Sequence, residues 1–263
     1  MRLLHRSGVE AKEAQTNLQL YNQLMQANYS ASELGVIRKA YDLAIQLFAN
    51  TFRANKKPFI AHLVGTASIL AEAETGMDTI AAGLLHSVFS HGEFGDGSRG
   101  PNRKKRAHIK RVVGSTIEYH VMSYTEKKWT AKSIQEAQES FQLPPEKYRV
   151  SLTIRLADIL EEFVDHGVRF SSKQKLTNSQ VEFERTLRAA VTMAERLRLP
   201  VIAQEFRSVL AETTTSGPTD CLRSEFTKSF TVEAGNSKVA LTGHPRRGVS
   251  TWLRRIVGSV RRR

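Results

Sequence analysis

Cysteine is nearly absent from this sequence of 263 residues: Cys221 is its only one. No disulfide can therefore form within the chain, which excludes the small secreted domains that disulfides hold together. Long apolar runs are also missing, since no stretch approaches the roughly 18 consecutive apolar residues of a membrane-spanning helix. The N-terminal residues MRLLHRSG lack the apolar run of a signal peptide. These absences predict a cytoplasmic protein.

Acidic residues are absent from two strongly basic segments. The chain has 39 Lys and Arg against 26 Asp and Glu, a net charge of +13, and residues 99–111 and 244–263 each contain seven Lys or Arg without an acid. Such segments suit a phosphate-bearing partner, whether nucleotide, nucleic acid or anionic lipid. A solvated charge run that aids solubility is the alternative. Because aromatic residues are not interleaved with the cations, Trp252 excepted, nucleic acid is the less favoured partner.

Apolar residues at helical spacing dominate residues 1–212, and no run there alternates with the period of a strand. Ser30 and Glu33 form a capping-box pattern before one such helix, and Pro58 begins another. Asp78 is expected to cap a third helix. A loop is predicted over 92–100, which has four glycines, and a helix over 104–129. The pattern predicts an all-α domain over 1–212.

The C-terminal part differs in composition. Residues 213–248 are rich in Thr, Ser and Gly, which indicates a linker or weakly structured segment. Residues 249–263 predict a basic amphipathic helix, because their apolar positions recur at helical spacing with arginines between them. This tail is expected to contact an anionic membrane surface or a protein partner, or alternatively to pack on the body of the protein. Contact of the tail with a membrane surface would make the protein peripheral to the membrane.

Three residues on predicted helices are of types that commonly bind metals in proteins: His62, His86 and Asp158. Two imidazoles and a carboxylate can hold Zn, Mn or Fe and leave positions open for water and substrate. A metal held in this way polarises a phosphoryl oxygen and lowers the pKa of bound water. From spacing alone, buried histidines without a metal are the more common alternative.

The sequence around these residues resembles the HD-domain hydrolases of the RelA/SpoT type over about residues 30–170. Three blocks occur in the family's order: AYDLAIQLFANTFRANKKPFIAH, DTIAAGLLHSVF and RLADILEEF. The resemblance implies an HD-like helical bundle in which His62, His86 and Asp158 bind a divalent metal (Mn, Fe or Zn). It also implies that Arg53 contacts the substrate, a phosphorylated small molecule or nucleotide of the (p)ppGpp type. For Arg53 a surface arginine is the alternative.

Several positions depart from the family's pattern. Ser87 stands where the family has the aspartate of its His-Asp pair, and Ser90 and His91 replace an acidic pair that positions the attacking water. Glu162 replaces an asparagine. Four residues near the predicted ligands could act as a general base: His91 and Glu93, which follow His86, and Glu161 and Glu162, which follow Asp158. For His91, a solvated histidine at a helix end is the preferred interpretation.

The positions that match the family's pattern and those that depart from it support two functions of different classes. One is a metal-dependent phosphohydrolase with the ligands His62, His86 and Asp158. The other is a catalytically inactive HD-like domain that senses a phosphorylated ligand or acts as a scaffold. The three retained metal-ligand positions favour the enzyme, whereas Ser87, Ser90 and His91 favour the inactive domain.

Overall fold

The computed structural model describes residues 13–140, 143–164, 170, 180–211, 220–233 and 240–242. Most of these residues are helical, which confirms the predicted all-α class. Within these ranges, no helix is both long and apolar enough to cross a membrane. The predicted tail, 249–263, lies outside the described residues.

The helices and strands follow one another in chain order. The helices are α1 (Asn17–Gln26), α2 (Ala31–Phe48), α3 (Phe59–Glu72), α4 (Met77–Leu85), α5 (Val88–His91), α6 (Arg103–Val113), α7 (Ser115–Glu126), α8 (Ala131–Glu139), α9 (Glu146–Val164), α10 (Gln180–Arg196) and α11 (Pro200–Ala211). The strands are β1 (Thr51–Phe52), β2 (Phe230–Glu233) and β3 (Ala240–Thr242).

Local signals set several helix boundaries. The capping box of Ser30 and Glu33 at the start of α2 is confirmed, and Pro58 immediately precedes α3. The predicted Asp78 cap was wrong, because Gly76 holds the cap position of α4 and Asp78 lies in its first turn. The single helix predicted over 104–129 was also wrong. Gly114 has a φ of 95°, a left-handed conformation that ends α6 and separates it from α7.

Helices α3 and α4 form the centre of the bundle. Eleven of the 14 residues of α3 are buried, so this helix is enclosed on nearly all sides. It lies against α1, α4 and α9, while α4 also contacts α2 and α7. Helix α10 packs on α8 and α11 beside this group. The most enclosed helices are therefore the ones that carry two of the predicted metal ligands.

A small antiparallel sheet connects the N-terminal part of the chain with the segment predicted as a linker. Its order is β1-β2-β3, with Thr51 opposite Thr231 and Phe52 opposite Phe230. The rings of Phe52 and Phe230 stack with centroids 5.5 Å apart. Strand β1 has only two residues, too few to show alternation, which is why the sequence does not reveal it.

Candidate metal centre

His62, His86 and Asp158 converge in the interior of the bundle. His62 lies on α3, His86 directly follows α4, and Asp158 lies on α9. One potential ligand atom from each lies within 4.8 Å of the others. Asp158 Oδ1 is 3.1 Å from His62 Nε2 and 3.6 Å from His86 Nε2. All three side chains are buried, with at most 3% of each residue exposed.

Hydrogen bonds on the far side of each ring orient the two imidazoles. His62 Nδ1 bonds Glu161, whose carboxylate also pairs with Lys57 Nζ. His86 Nδ1 donates to the carbonyl oxygen of Gly83 at 2.7 Å. Metal-binding histidines make outer hydrogen bonds of this kind, which fix the ring and leave the other nitrogen free to coordinate. Both Nε2 atoms therefore face Asp158 Oδ1.

Burial keeps His86 in the form that a metal requires. Desolvation lowers the pKa of His86 to about 4, although the nearby carboxylate of Asp158 opposes that shift. The ring is consequently neutral at physiological pH. A neutral imidazole is the protonation state that coordinates a divalent ion.

The two oxygens of Asp158 have different surroundings. Oδ2 accepts a hydrogen bond from Tyr124 Oη at 2.8 Å and pairs with the Arg155 guanidinium, whereas Oδ1 faces the two imidazoles. Burial opposes ionisation of Asp158, but the Arg155 guanidinium beside it holds its pKa well below its usual range. Asp158 is therefore a carboxylate with one oxygen directed into the cluster.

Arg53 reaches the same cluster from the loop between β1 and α3. Its Nη1 is 2.7 Å from His62 Nε2 and 4.0 Å from Asp158 Oδ1, and its Nη2 pairs with Glu162. The guanidinium also lies 5.6 Å from the ring centroid of Phe59. The Arg53 side chain thus lines the site. Its predicted contact with substrate stays a prediction.

The positions that depart from the family's pattern also lie at the site. Ser87 follows His86 and is buried, and Ser90 Oγ lies 2.9 Å from His91 Nδ1. The His91 ring packs on Phe59 with centroids 5.0 Å apart. Burial and then the positive charge of Arg53 lower the pKa of His91 to about 4. His91 is therefore a half-buried neutral residue, and its interpretation as a solvated histidine was wrong.

Sequence reasoning missed three residues of the cluster: Lys57, Tyr124 and Arg155. Arg155 precedes Asp158 by three residues, a spacing that brings the two side chains together on a helix and could have identified the pair. No local signal singles out Tyr124, which contacts Asp158 from α7. Gly65 provides the space for Glu161, because a Cβ at this position would lie 2.8 Å from Glu161 Cγ.

Three cations of the basic segment 99–111 form ion pairs or are buried in the protein. Arg99 pairs with Glu93 at 2.8 Å, and Arg106 pairs with Glu118 at 2.6 Å. Lys105 is buried, with 3% of the residue exposed. Its Nζ donates to Ser98 O at 2.7 Å and Ser98 Oγ at 2.9 Å, and it lies 3.2 Å from Asp96 Oδ1. Lys105 therefore stabilises the conformation of the glycine-rich loop over 92–100.

We expect Lys105→Ala to lower the free energy of unfolding by about 1.5–3 kcal/mol, the value of a hydrogen bond to a charged group. Four acceptors, among them the backbone oxygens of Ser98 and Gly100, would lose the ammonium that they share. Urea denaturation would measure the difference. Lys104→Ala is the matched control, because Lys104 is exposed on the same helix. Equal stability of the two variants would contradict this role of Lys105.

Comparison with known proteins shows a local similarity. Residues 44–127 match a domain family described as a domain of unknown function, DUF6817. Over 67 residues the chain is 36% identical to the bifunctional (p)ppGpp synthase/hydrolase SpoT of Escherichia coli, which is 26% of this chain and 10% of that protein. Over 60 residues it is 36% identical to the bifunctional (p)ppGpp synthase/hydrolase RelA of Mycobacterium tuberculosis, 23% of this chain and 8% of that protein. The chain thus spans at most about a tenth of these relatives' length.

Proposed function

We propose that the protein is an HD-like metal-dependent phosphohydrolase that acts on a phosphate ester. The observation that carries this proposal is the approach of His62 Nε2, His86 Nε2 and Asp158 Oδ1 to one another in a buried cluster. The outer hydrogen bonds of both imidazoles support it, because they turn these atoms towards one point. A ligand set of two imidazoles and one carboxylate suits a divalent transition metal, with Mn, Fe and Zn as the candidates.

The proposed roles follow from what each side chain contacts. His62, His86 and Asp158 would hold the ion, and an ion there supplies Lewis-acid polarisation and an acidified water. Glu161 and Gly83 fix the two rings, while Tyr124 and Arg155 engage Asp158 Oδ2 and leave Oδ1 for the ion. Arg53 brings a guanidinium that can form paired hydrogen bonds to phosphate oxygens.

The proposed substrate is a phosphorylated nucleotide of the (p)ppGpp type. The similar proteins of Escherichia coli and Mycobacterium tuberculosis are bifunctional (p)ppGpp synthase/hydrolases, which supports this substrate class. The cations of Arg53 and Arg99 favour an anionic substrate, because both act electrostatically on His91 beside the cluster.

A second candidate function is a catalytically inactive HD-like domain that senses a phosphorylated ligand or acts as a scaffold. Ser87 favours it, because a neutral hydroxyl next to His86 replaces a carboxylate and removes one negative charge from the site. The same cluster would then bind a ligand without turning it over.

Metal content and hydrolysis distinguish the two functions. We expect near-stoichiometric Mn, Fe or Zn in the purified chain by elemental analysis, and Mn-dependent release of pyrophosphate from ppGpp. His86→Ala should lose both, whereas His108→Ala, on the outer helix α6, should retain both. Metal without hydrolysis of any nucleotide tested would favour the inactive domain. A chain that takes up no metal under any loading condition would overturn the phosphohydrolase.

A further inference from the structure

The Arg53 guanidinium takes up the coordinating face of His62. His62 Nδ1 is engaged by Glu161, so Nε2 is the nitrogen left for a metal, and this is the atom that lies 2.7 Å from Arg53 Nη1. The same Nη1 lies 4.0 Å from Asp158 Oδ1, the oxygen that faces both imidazoles. One cation thus already faces two of the three atoms that a metal would need.

Glu162 holds the guanidinium in that position. Its Oε1 pairs with Arg53 Nη2, while Nη1 points at His62. Arg53 is therefore clamped between a carboxylate on one side and an imidazole nitrogen on the other. Glu162 directly follows Glu161 on α9, so adjacent carboxylates engage two different members of the cluster.

The backbone that carries Arg53 is held on both sides. Arg53 N donates to Lys57 O at 2.8 Å, and Lys56 N donates to Arg53 O at 2.9 Å. The C-terminal segment adds two contacts, since Ser224 Oγ bonds Ala54 O and Thr51 pairs with Thr231 across β1 and β2. These bonds hold the backbone that carries Arg53, and rotation of the Arg53 side chain is enough to take the guanidinium out of the cluster.

We propose that Arg53 is a latch on the metal centre: its guanidinium and the metal compete for His62 Nε2, and Glu162 holds the closed position. This inference rests on the proposed metal site. A donor N–H and a divalent ion cannot share one lone pair, and two cations at that separation repel each other in a buried site. A metal held by His62 Nε2 would therefore require the Arg53 guanidinium to move away from that atom.

The rotation would link metal loading to recognition of the substrate. A guanidinium displaced from His62 keeps its five N–H donors and finds its best new partner in a phosphate group, which it can meet with two parallel hydrogen bonds. The ligand class that this predicts for the open state is a phosphate mono- or diester at the entrance of the site. Arg53 is accordingly a positioning residue in the closed state and a phosphate-binding residue in the open state.

Isothermal titration with MnCl2 tests the latch without any activity measurement. We expect Arg53→Gln to bind Mn²⁺ about 10- to 100-fold more tightly than the wild-type chain, the range of a hydrogen bond to a charged group. Arg99→Gln removes an equal charge that does not touch the ligands, and should change the affinity less than about threefold. If Arg99→Gln tightens binding as much as Arg53→Gln, charge alone explains the effect and the latch is wrong.

Glu162→Gln examines the clamp. In the wild-type background it should tighten Mn²⁺ binding, because the guanidinium loses its anchor; in the Arg53→Gln background it should not. The same effect in both backgrounds would show that Glu162 does not act through Arg53 and would overturn the latch. If no variant and no wild-type chain binds Mn²⁺, the metal site itself fails. Equal, measurable affinities of Arg53→Gln and wild type would reject only the latch.

Discussion

Replacing Asp158 by alanine is expected to lower the free energy of unfolding by about 3 kcal/mol in metal-free buffer. The substitution removes the partner of the Arg155 guanidinium and the acceptor of Tyr124 Oη, both within the interior of the bundle. Breaking a buried ion pair by removing one member costs about 3–5 kcal/mol. We expect a value at the lower end of this range, because 27% of the Arg155 side chain remains exposed and solvent screens part of its charge.

Urea denaturation in the presence of a chelator measures this difference, and Asp42→Ala is the matched control. Asp42 lies 3.8 Å from Arg38 on the surface, with 56% of its side chain exposed. The control should therefore change the stability by less than about 0.5 kcal/mol. If Asp158→Ala were as stable as the control, the ion pair with Arg155 would contribute nothing to folding.

The pH dependence of this contribution has a definite sign. The folded-state pKa of Asp158 lies below its unfolded value, so the stabilisation is present above about pH 4, the unfolded pKa of Asp. It is lost as the pH falls further, towards the folded-state pKa. The difference in stability between the wild-type chain and Asp158→Ala should consequently be constant near neutral pH and shrink in acid.

Replacing Glu161 by glutamine is expected to weaken Mn²⁺ binding about 10- to 100-fold, the usual effect of removing a partner that orients a metal-binding histidine. The Glu161 carboxylate serves both His62 Nδ1 and Lys57 Nζ. His62 Nδ1 and Lys57 Nζ meet different oxygens of Glu161, Oε2 and Oε1, and in glutamine one of these two positions is an NH2 donor. The variant therefore removes the negative charge behind the His62 ring and breaks one of the two contacts.

Titration with MnCl2, together with the circular dichroism spectrum, separates this effect from misfolding. Glu139→Gln is the control, since Glu139 is exposed at the end of α8 and removes the same charge. We expect an unchanged helical spectrum for both variants. A Glu161→Gln chain that binds Mn²⁺ as tightly as Glu139→Gln would show that the His62 ring needs no orienting carboxylate.

The cost of these buried charges explains why the surrounding residues are arranged as they are. Asp158, Glu161 and Arg53 lie close together where water is scarce, and each meets a partner of opposite charge or a polar hydrogen of the protein. An unpaired charge in such surroundings is strongly unfavourable. Each of these charged side chains therefore depends on its partner for a favourable place in the interior.

The three candidate ligands were identified by the resemblance of three sequence blocks to a known family, and the sequence by itself determined the helical class and the starts of α2 and α3. These depend on local signals: the Ser30–Glu33 cap acts over three residues, and Pro58 restricts its own backbone. Apolar periodicity likewise reports only which face of a helix is buried. Each of these signals is contained within a few consecutive residues.

Only the tertiary structure decided the pairing of Glu161 with His62, the contact of Tyr124 with Asp158, the position of Arg53 and the burial of Lys105. Glu161 and His62 are 99 residues apart in the chain, and Tyr124 and Asp158 are 34 apart. Such contacts depend on how the helices pack. The sequence around a charged residue does not show whether its side chain is solvated or buried. The basic segment shows the consequence, since packing turned one of its cations, Lys105, into an internal support for a loop.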